Sequence, residues 1–199
     1  MTRRVVLATR NAGKIAELRR ILAEYYVELV GLDDVADIGE IAETGATFVE
    51  NAMIKAREVA RVAGLVAIAD DSGLTVDALN GMPGVLSARW SGRHGDDAAN
   101  LDLVLAQISD VPDARRGAAF VCAAAACAPD GREIVVEEEI VGSLLRERRG
   151  SNGFGYDPIF VPDGESITTA EMSPERKDEI SHRGKAFRAL APRLPELLH

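Results

Sequence analysis

The chain has two cysteines, no apolar run of 18 residues and no surplus of positive charge. Each shortage closes off a class of protein. Cys122 and Cys127 lie in the stretch FVCAAAAC. On a strand, a separation of five sets them on opposite faces, roughly 16 Å apart. A disulfide spans Cα atoms no more than about 7 Å apart. They read as small buried thiols rather than a bridge or a metal pair, which suits a reducing compartment. Without a long apolar run there is no candidate membrane-spanning helix. The start, Met1-Thr2-Arg3-Arg4 followed by Val5-Val6-Leu7-Ala8, sets basic residues before apolar ones. That apolar part is too short for a signal peptide, and Arg10 interrupts it, so a cytoplasmic protein is expected. Basic side chains number 23 against 32 acidic ones, a net charge of −9. A broad nucleic-acid footprint needs a basic surplus and is excluded as an expectation. A small polyanion stays open, because a few placed cations decide that locally. Repeats, low-complexity tracts and linkers are also missing. With 199 residues, 47% of them hydrophobic, the chain suits one domain over 1–199 with a sizeable core.

The periodicities predict alternating strands and helices. Val5–Thr9 reads as a strand. Gly13–Glu24 reads as an amphipathic helix with Ile15, Leu18, Ile21 and Leu22 on one stripe. A second strand is expected over Tyr25–Val30 and an acidic loop over 33–45. Thr47–Ala63 is a helix with Phe48, Ala52, Ala56 and Val59 near helical spacing, and Thr47 with Glu50 fits a capping box. Leu65–Ala69 and Leu74–Val76 read as strands on either side of an Asp70-Asp71-Ser72-Gly73 turn. Asn80-Gly81 and Pro83-Gly84 mark a loop, and 96–108 a helix. Ala118–Ala128 and Glu133–Val141 read as strands joined by a hairpin at Pro129-Asp130-Gly131. A glycine-rich loop follows over 150–158, then a short strand over 159–161. A last helix is expected from about Arg183 to Leu198, broken or kinked at Pro192. Strands mixed with helices, one pair of them antiparallel, predict an α/β fold with a mixed sheet.

Five constellations carry candidate chemistry. Asp70 and Asp71 are adjacent carboxylates, which repel and raise each other's proton affinity. A site that keeps both supplies a metal or a lysine; the alternative is a turn in which one caps and the other faces water. Thr9-Arg10-Asn11-Ala12-Gly13-Lys14 joins a strand to a helix start, a natural anion site. It lacks the first glycine of a Walker A loop, and the alternative is a helix capped by Asn11. Glu43 precedes a helix on which Asn51 and Lys55 share a face. That carboxylate can join the Asp pair around a hard cation such as Mg²⁺, which takes one or two carboxylates plus substrate phosphates; otherwise the segment is a cap with exposed charges. Ser151-Asn152-Gly153-Phe154-Gly155-Tyr156-Asp157-Pro158 offers aromatics on a flexible loop, able to stack on a base or to cover the core. Lys177 and Ser181-His182-Arg183-Gly184-Lys185 complete the set. The Arg183 fork donates and never accepts, so it can take a purine 6-oxo group and refuse an amino group. The alternative is a surface arginine on the last helix.

These segments, in this order, resemble the inosine/xanthosine triphosphate pyrophosphatase family, enzymes that remove nonstandard purine nucleotides. The matching stretches are ATRNAGKIAEL, ETGATFVENAMIKA, ADDSGL, GMPGVLSARWSG, GFGYDPIF and SHRGKA, spanning residues 8–186. The resemblance implies a long mixed sheet flanked by helices, two lobes with a central active-site cleft, a homodimer and dependence on Mg²⁺. It implies hydrolysis of ITP, dITP and XTP to the monophosphate and pyrophosphate. Carried over residue by residue, Thr9, Arg10, Asn11, Ala12, Gly13 and Lys14 hold phosphates, and Glu43 and Asp71 bind Mg²⁺. Asp71 is also the proton acceptor, with Asp70 in support, and Ser72 touches substrate. Phe154, Gly155, Tyr156 and Asp157 hold base and sugar, and Lys177, His182 and Arg183 complete the base pocket. Arg10 and Trp90 depart from the usual pattern, which has a small or neutral residue and a tyrosine there. Two other classes compete: a nucleotide sensor without turnover, and a phosphatase releasing orthophosphate. Acids clustered at Glu43, Asp70 and Asp71 argue against a sensor, which gains little from carboxylates facing a polyanion.

Overall fold

The most apolar stretches of the chain become the inner strands of one sheet. The computed structural model describes residues 3–25, 27–35 and 38–198. The strands are β1 (Arg3–Leu7), β2 (Val27–Gly31), β3 (Val66–Val76), β4 (Gly117–Cys127), β5 (Glu133–Leu144) and β6 (Phe160–Pro162). The helices are α1 (Ala12–Ile21), α2 (Phe48–Ala63), α3 (Asp97–Gln107), α4 (Pro174–Ile180) and α5 (His182–Leu190). Among the described residues the strands form one sheet in the order β2-β1-β3-β4-β5-β6. β1 is parallel to both β2 and β3, whereas β6 is antiparallel to β5. The sheet is therefore mixed, and the fold is α/β as the sequence predicts. Met1 and Thr2 of the basic start, Tyr26 of the predicted second strand, and Ala36 and Asp37 of the acidic loop lie outside the described residues.

The chain divides into two units, the first Met1–Asp71, Cys122–Glu138 and Arg183–His199, the second Ser72–Val121 and Glu139–His182. In the first unit, Val5 and Leu7 of β1, Val66 and Ile68 of β3 and Cys122, Ala124 and Ala126 of β4 pack with Leu18 and Ile21 of α1 and Phe187 and Leu190 of α5. In the second, Leu74 and Val76 of β3 pack with Leu101 and Val104 of α3, Phe120, Ile140, Tyr156 and Phe160. Both cysteines are free and buried, as the strand spacing predicts.

The Asp-Asp segment corrects the sequence reading. It is not a turn: β3 runs unbroken from Val66 to Val76. Side chains of a strand alternate between faces. Val66, Ile68 and Asp70 therefore share the face packed by α1 and α5, and Ala67, Ala69 and Asp71 take the other. Each carboxylate has partners on its own face, so the pair needs no turn to keep its charges in water. Gly73 also belongs in the strand for a packing reason. A Cβ there would fall 2.4 Å from Ser87 Oγ and 2.5 Å from the Gly84 carbonyl oxygen. Ser87 Oγ accepts from the Leu74 amide at 2.9 Å and donates to Gly84 O at 2.6 Å. Gly73→Ala must push this contact apart and is expected to lower stability by about 1–3 kcal/mol in urea denaturation, the scale of overpacking; an unchanged midpoint would contradict the close approach.

The helix ends follow their caps. Thr47 Oγ1 accepts the Glu50 amide at 3.1 Å, but Glu50 Oε2 reaches back to the amide of Ala46 at 2.6 Å, one residue before the box position. α5 ends at Leu190 and a 3₁₀ turn takes over from Ala191, because proline disfavours the α conformation in the residue before it and here stands at 192. The short α4 is not predicted by periodicity; Ser173 caps it and Pro174 opens it.

Candidate active site

In the first unit the Thr9–Lys14 segment leads from β1 into α1. Asn11 Oδ1 accepts the Lys14 amide at 3.0 Å and Thr9 Oγ1 accepts the Asn11 amide at 3.2 Å. The first-turn amides of Ala12 and Gly13 have no acceptor within the helix, as at any helix start. Lys14 Nζ lies 2.9 Å from Asp70 Oδ2. Arg10 turns elsewhere: its Nε donates to Asp33 Oδ1 at 2.9 Å and its Nη2 to the Ile38 carbonyl at 2.6 Å.

Asp70 is held on its face by cations. Arg183 Nε and Nη2 each donate to Asp70 Oδ2 at 3.2 Å, and Arg183 Nη1 donates to Glu17 Oε2. The Arg183 side chain is 2% exposed. Burial pushes the Asp70 carboxyl up, but Lys14, Arg183 and Lys55 overcome that and hold it well below the usual carboxylate range. Glu17 is a partner that sequence reasoning passes over. Its signal was present, because it sits beside Leu18 and four residues from Ile21, on the buried stripe of α1.

Asp71 faces α2. Asn51 is fully buried, and its amide joins two distant segments: Nδ2 donates to Asp71 Oδ2 at 3.0 Å while Oδ1 accepts the Gly45 amide at 2.8 Å. Gly45 lies two residues after Glu43, so this one side chain ties the Glu43 segment to β3. One turn further along α2, Lys55 Nζ meets Glu43 Oε1 at 2.6 Å and Asp71 Oδ1 at 3.7 Å. The shared face of Asn51 and Lys55 is thus what brings the acids together. Burial, and after it the Glu43 charge, raise the proton affinity of Asp71, against the pull of Lys55, Lys14 and the Asn51 hydrogen bond. Lys55 keeps a raised pKa: burial lowers it, and Asp71, Asp70 and Glu43 more than offset that.

Two hard oxygen donors that converge on one ammonium fit a divalent ion of the Mg²⁺ type. Such an ion typically takes one or two protein carboxylates and fills its remaining positions with water and phosphate oxygens. Among the described residues no group of three or more His, Cys, Asp or Glu side chains stands ready to cage a metal.

The second unit carries the loop cluster. Asp157 is buried and organises it. Its Oδ2 accepts the Phe154 amide at 2.9 Å and Lys177 Nζ at 2.6 Å, and its Oδ1 accepts Thr169 Oγ1 at 2.8 Å. Lys177 Nζ also lies 5.0 Å from the centroid of the Phe154 ring. Gly153 has φ +74°, and a Cβ there would lie 2.0 Å from Asp157 Oδ2, so glycine is required on both counts. Tyr156 points inward, donating to the Ser87 carbonyl at 2.8 Å, and the Gly155 amide donates to Asp97 Oδ2 at 2.8 Å. His182 stacks on Phe120, with centroids 5.0 Å apart and planes 13° from parallel. Ser72 follows Asp71 in β3 and is half-buried. Thus Phe154, Asp157 and Lys177 come together, while Gly155 and Tyr156 bond to Asp97 and Ser87. Arg183 instead belongs to the first unit, with its Nε, Nη1 and Nη2 all donating to carboxylates. Thr169 and Asp97, bracing this loop, carry no motif that marks them.

Comparison with known proteins finds relatives over nearly the whole chain. The Ham1 family profile matches residues 5–193. A dITP/XTP pyrophosphatase of Streptomyces avermitilis is 60% identical over 197 residues, covering 98% of each chain. The crystal structure of a nucleoside-triphosphatase, dITP/XTP pyrophosphatase, from Mycobacterium abscessus is 61% identical, with a TM-score of 0.78 over 95% of this chain and 99% of that one. A HAM1 protein structure from Coxiella burnetii is 41% identical, with a TM-score of 0.88 over 98% of this chain and 99% of that one.

Proposed function

The chain belongs to the Ham1 family, and we propose that it hydrolyses nonstandard purine nucleoside triphosphates (dITP, XTP and ITP) to the monophosphate and pyrophosphate. The observation that carries this reading is the meeting of Glu43 and Asp71 at Lys55, with Lys14 and the start of α1 in the same unit. The amides of Ala12 and Gly13 and the Lys14 ammonium take phosphate oxygens, with Thr9 and Asn11 shaping the turn. Arg10 steadies that turn through Asp33 and Ile38. Glu43 and Asp71 would hold Mg²⁺, which neutralises phosphate charge as it builds on the leaving group. Asp71 accepts the proton of the attacking water. The water oxygen bonds to the α-phosphorus, the bond to the α–β bridging oxygen breaks, and pyrophosphate leaves with that electron pair. Asn51, which donates to Asp71 Oδ2 at 3.0 Å, fixes the orientation of that carboxylate. Asp70, kept ionised by Lys14 and Arg183, positions Lys14.

In the second unit Phe154 stacks on the purine. Gly155 and Tyr156 shape the loop, Asp157 fixes Phe154 and Lys177, and Ser72 touches the substrate. Lys177 and His182 supply donors suited to a 6-oxo group. Arg183 contributes at one remove, through Asp70. The protein acts as a homodimer in the cytoplasm, each chain one functional domain over 1–199, without nucleic-acid or membrane partners. Among the described residues no helix is long and apolar enough to cross a membrane.

Incubation with dITP and Mg²⁺ is expected to yield pyrophosphate and monophosphate in equal amounts. Orthophosphate as first product would point to a phosphatase instead, and binding without product to a sensor. Phe154→Ala is expected to raise KM for dITP by roughly five- to a hundredfold, the value of one lost base stack, with a much smaller change in kcat. Steady-state kinetics check this, and an unchanged KM would move the base elsewhere.

A further inference from the structure

Lys55 stands at the point where Glu43 and Asp71 converge, with Nζ 2.6 Å from one carboxylate and 3.7 Å from the other and a side chain 12% exposed. We propose that Lys55 and a divalent cation compete for this one pair of carboxylates, so that Lys55 holds metal affinity low until a nucleotide draws its ammonium away. The inference rests on the reading of Glu43 and Asp71 as the metal ligands.

Three features carry it. Glu43 Oε1 already accepts a short charge-assisted bond from Lys55, and a bound metal needs oxygens of the same two carboxylates at about 2.0–2.1 Å. A divalent ion and an ammonium sharing these oxygens would repel across a few ångströms of poorly solvated space. Finally, the lysine head is a compact charge on a flexible four-carbon stem, so it can swing away without disturbing α2. Asn51, on the same face, keeps Asp71 and the Glu43 segment together while it does so. A triphosphate supplies the new anion for the displaced ammonium. Metal and nucleotide then bind with positive coupling: each vacates or fills the charge that the other requires.

The test measures Mn²⁺ binding to nucleotide-free protein by the loss of the free-ion EPR signal, so turnover plays no part. Lys55→Met is expected to bind Mn²⁺ about tenfold or more tightly than the parent chain. Mg²⁺ should also raise its Tm by more than it raises the parent's. Lys55→Gln carries the same expectation if the methionine variant does not fold. Equal or weaker Mn²⁺ binding in the folded variant overturns the competition. Glu43→Gln separates the two layers of the argument, since it should weaken Mn²⁺ binding. If it does and Lys55→Met fails to tighten binding, only the competition is lost. If Glu43→Gln leaves affinity unchanged, the metal-site reading falls and the competition with it.

Discussion

Asp71→Asn is expected to lower the turnover of dITP by about a thousandfold or more, within the range for loss of a general base compounded by a lost ligand charge. The substitution keeps size and shape. An asparagine at 71 can still present an oxygen to Asn51 Nδ2, now 3.0 Å from Asp71 Oδ2, so the joint between β3 and α2 survives. What disappears is the charge and the basic lone pair. Burial and Glu43 hold the Asp71 proton affinity above the ordinary value of 3.8. Its ionised form therefore costs stability at neutral pH, and the neutral amide should melt at the same temperature or higher. Loss of rate with an undiminished Tm separates chemistry from folding. Near-normal pyrophosphate release would remove Asp71 from the mechanism. The base works unprotonated, so the parent's rate must fall as pH drops and Asp71 takes up a proton.

Arg183→Ala is expected to lower stability by about 3–5 kcal/mol, the range for one partner stripped from a buried ion pair. The guanidinium serves two carboxylates at once, Asp70 and Glu17, whose side chains are 0% and 6% exposed. Without it Glu17 loses its guanidinium partner and Asp70 keeps Lys14 but loses two donors, in a place water does not reach. Against typical totals of 5–15 kcal/mol, that loss decides whether the protein stays folded at moderate temperature. Urea denaturation at neutral pH measures it. The pH dependence has a definite sign. The depressed Asp70 contributes stability that is fully present above its unfolded pKa, near 3.8, and is lost as pH falls through the lower folded value. The parent should therefore weaken in strong acid more than the variant does. If Arg183 read the purine directly, the variant would keep its stability and lose only its preference for ITP over ATP.

The sequence showed where chemistry lies better than how the backbone carries it. The helical spacing of Asn51 and Lys55 put both on one face of α2, and that face is where Glu43 and Asp71 meet. The capping residues Asn11, Thr47 and Asp96 start their helices as their types demand. Asp70-Asp71-Ser72-Gly73 misled, because four turn-forming residues in a row outweigh a strand on local grounds. Only the cations of α1, α2 and α5, remote in sequence, make those acids tolerable inside a sheet. Glu17 and Arg183 were illegible as a pair because 166 residues separate them; the stripe of α1 marks Glu17 as inward-facing without naming its partner. Arg116, buried with its three nitrogens donating to the carbonyls of Leu144, Ile108 and Leu145, lies beside Arg115 with no local signal to tell the inner from the outer.

The unbroken course of β3 has a consequence for how this protein can change. Along a strand, even and odd positions are committed to opposite sides, and here the even carboxylate answers to Lys14 and Arg183 while the odd one answers to Asn51 and Lys55. Loss of a single residue upstream in the strand would move Asp71 into the slot beside Lys14 and Arg183 and leave Ser72 in the slot beside Asn51 and Lys55. Gain of one would bring Asp70 to Asn51 and Lys55 and leave Ala69 between Lys14 and Arg183. Both aspartates would still be present, yet one of the two duties would have no carboxylate to perform it. The parity of this strand is thus as much a part of the active site as the side chains it displays.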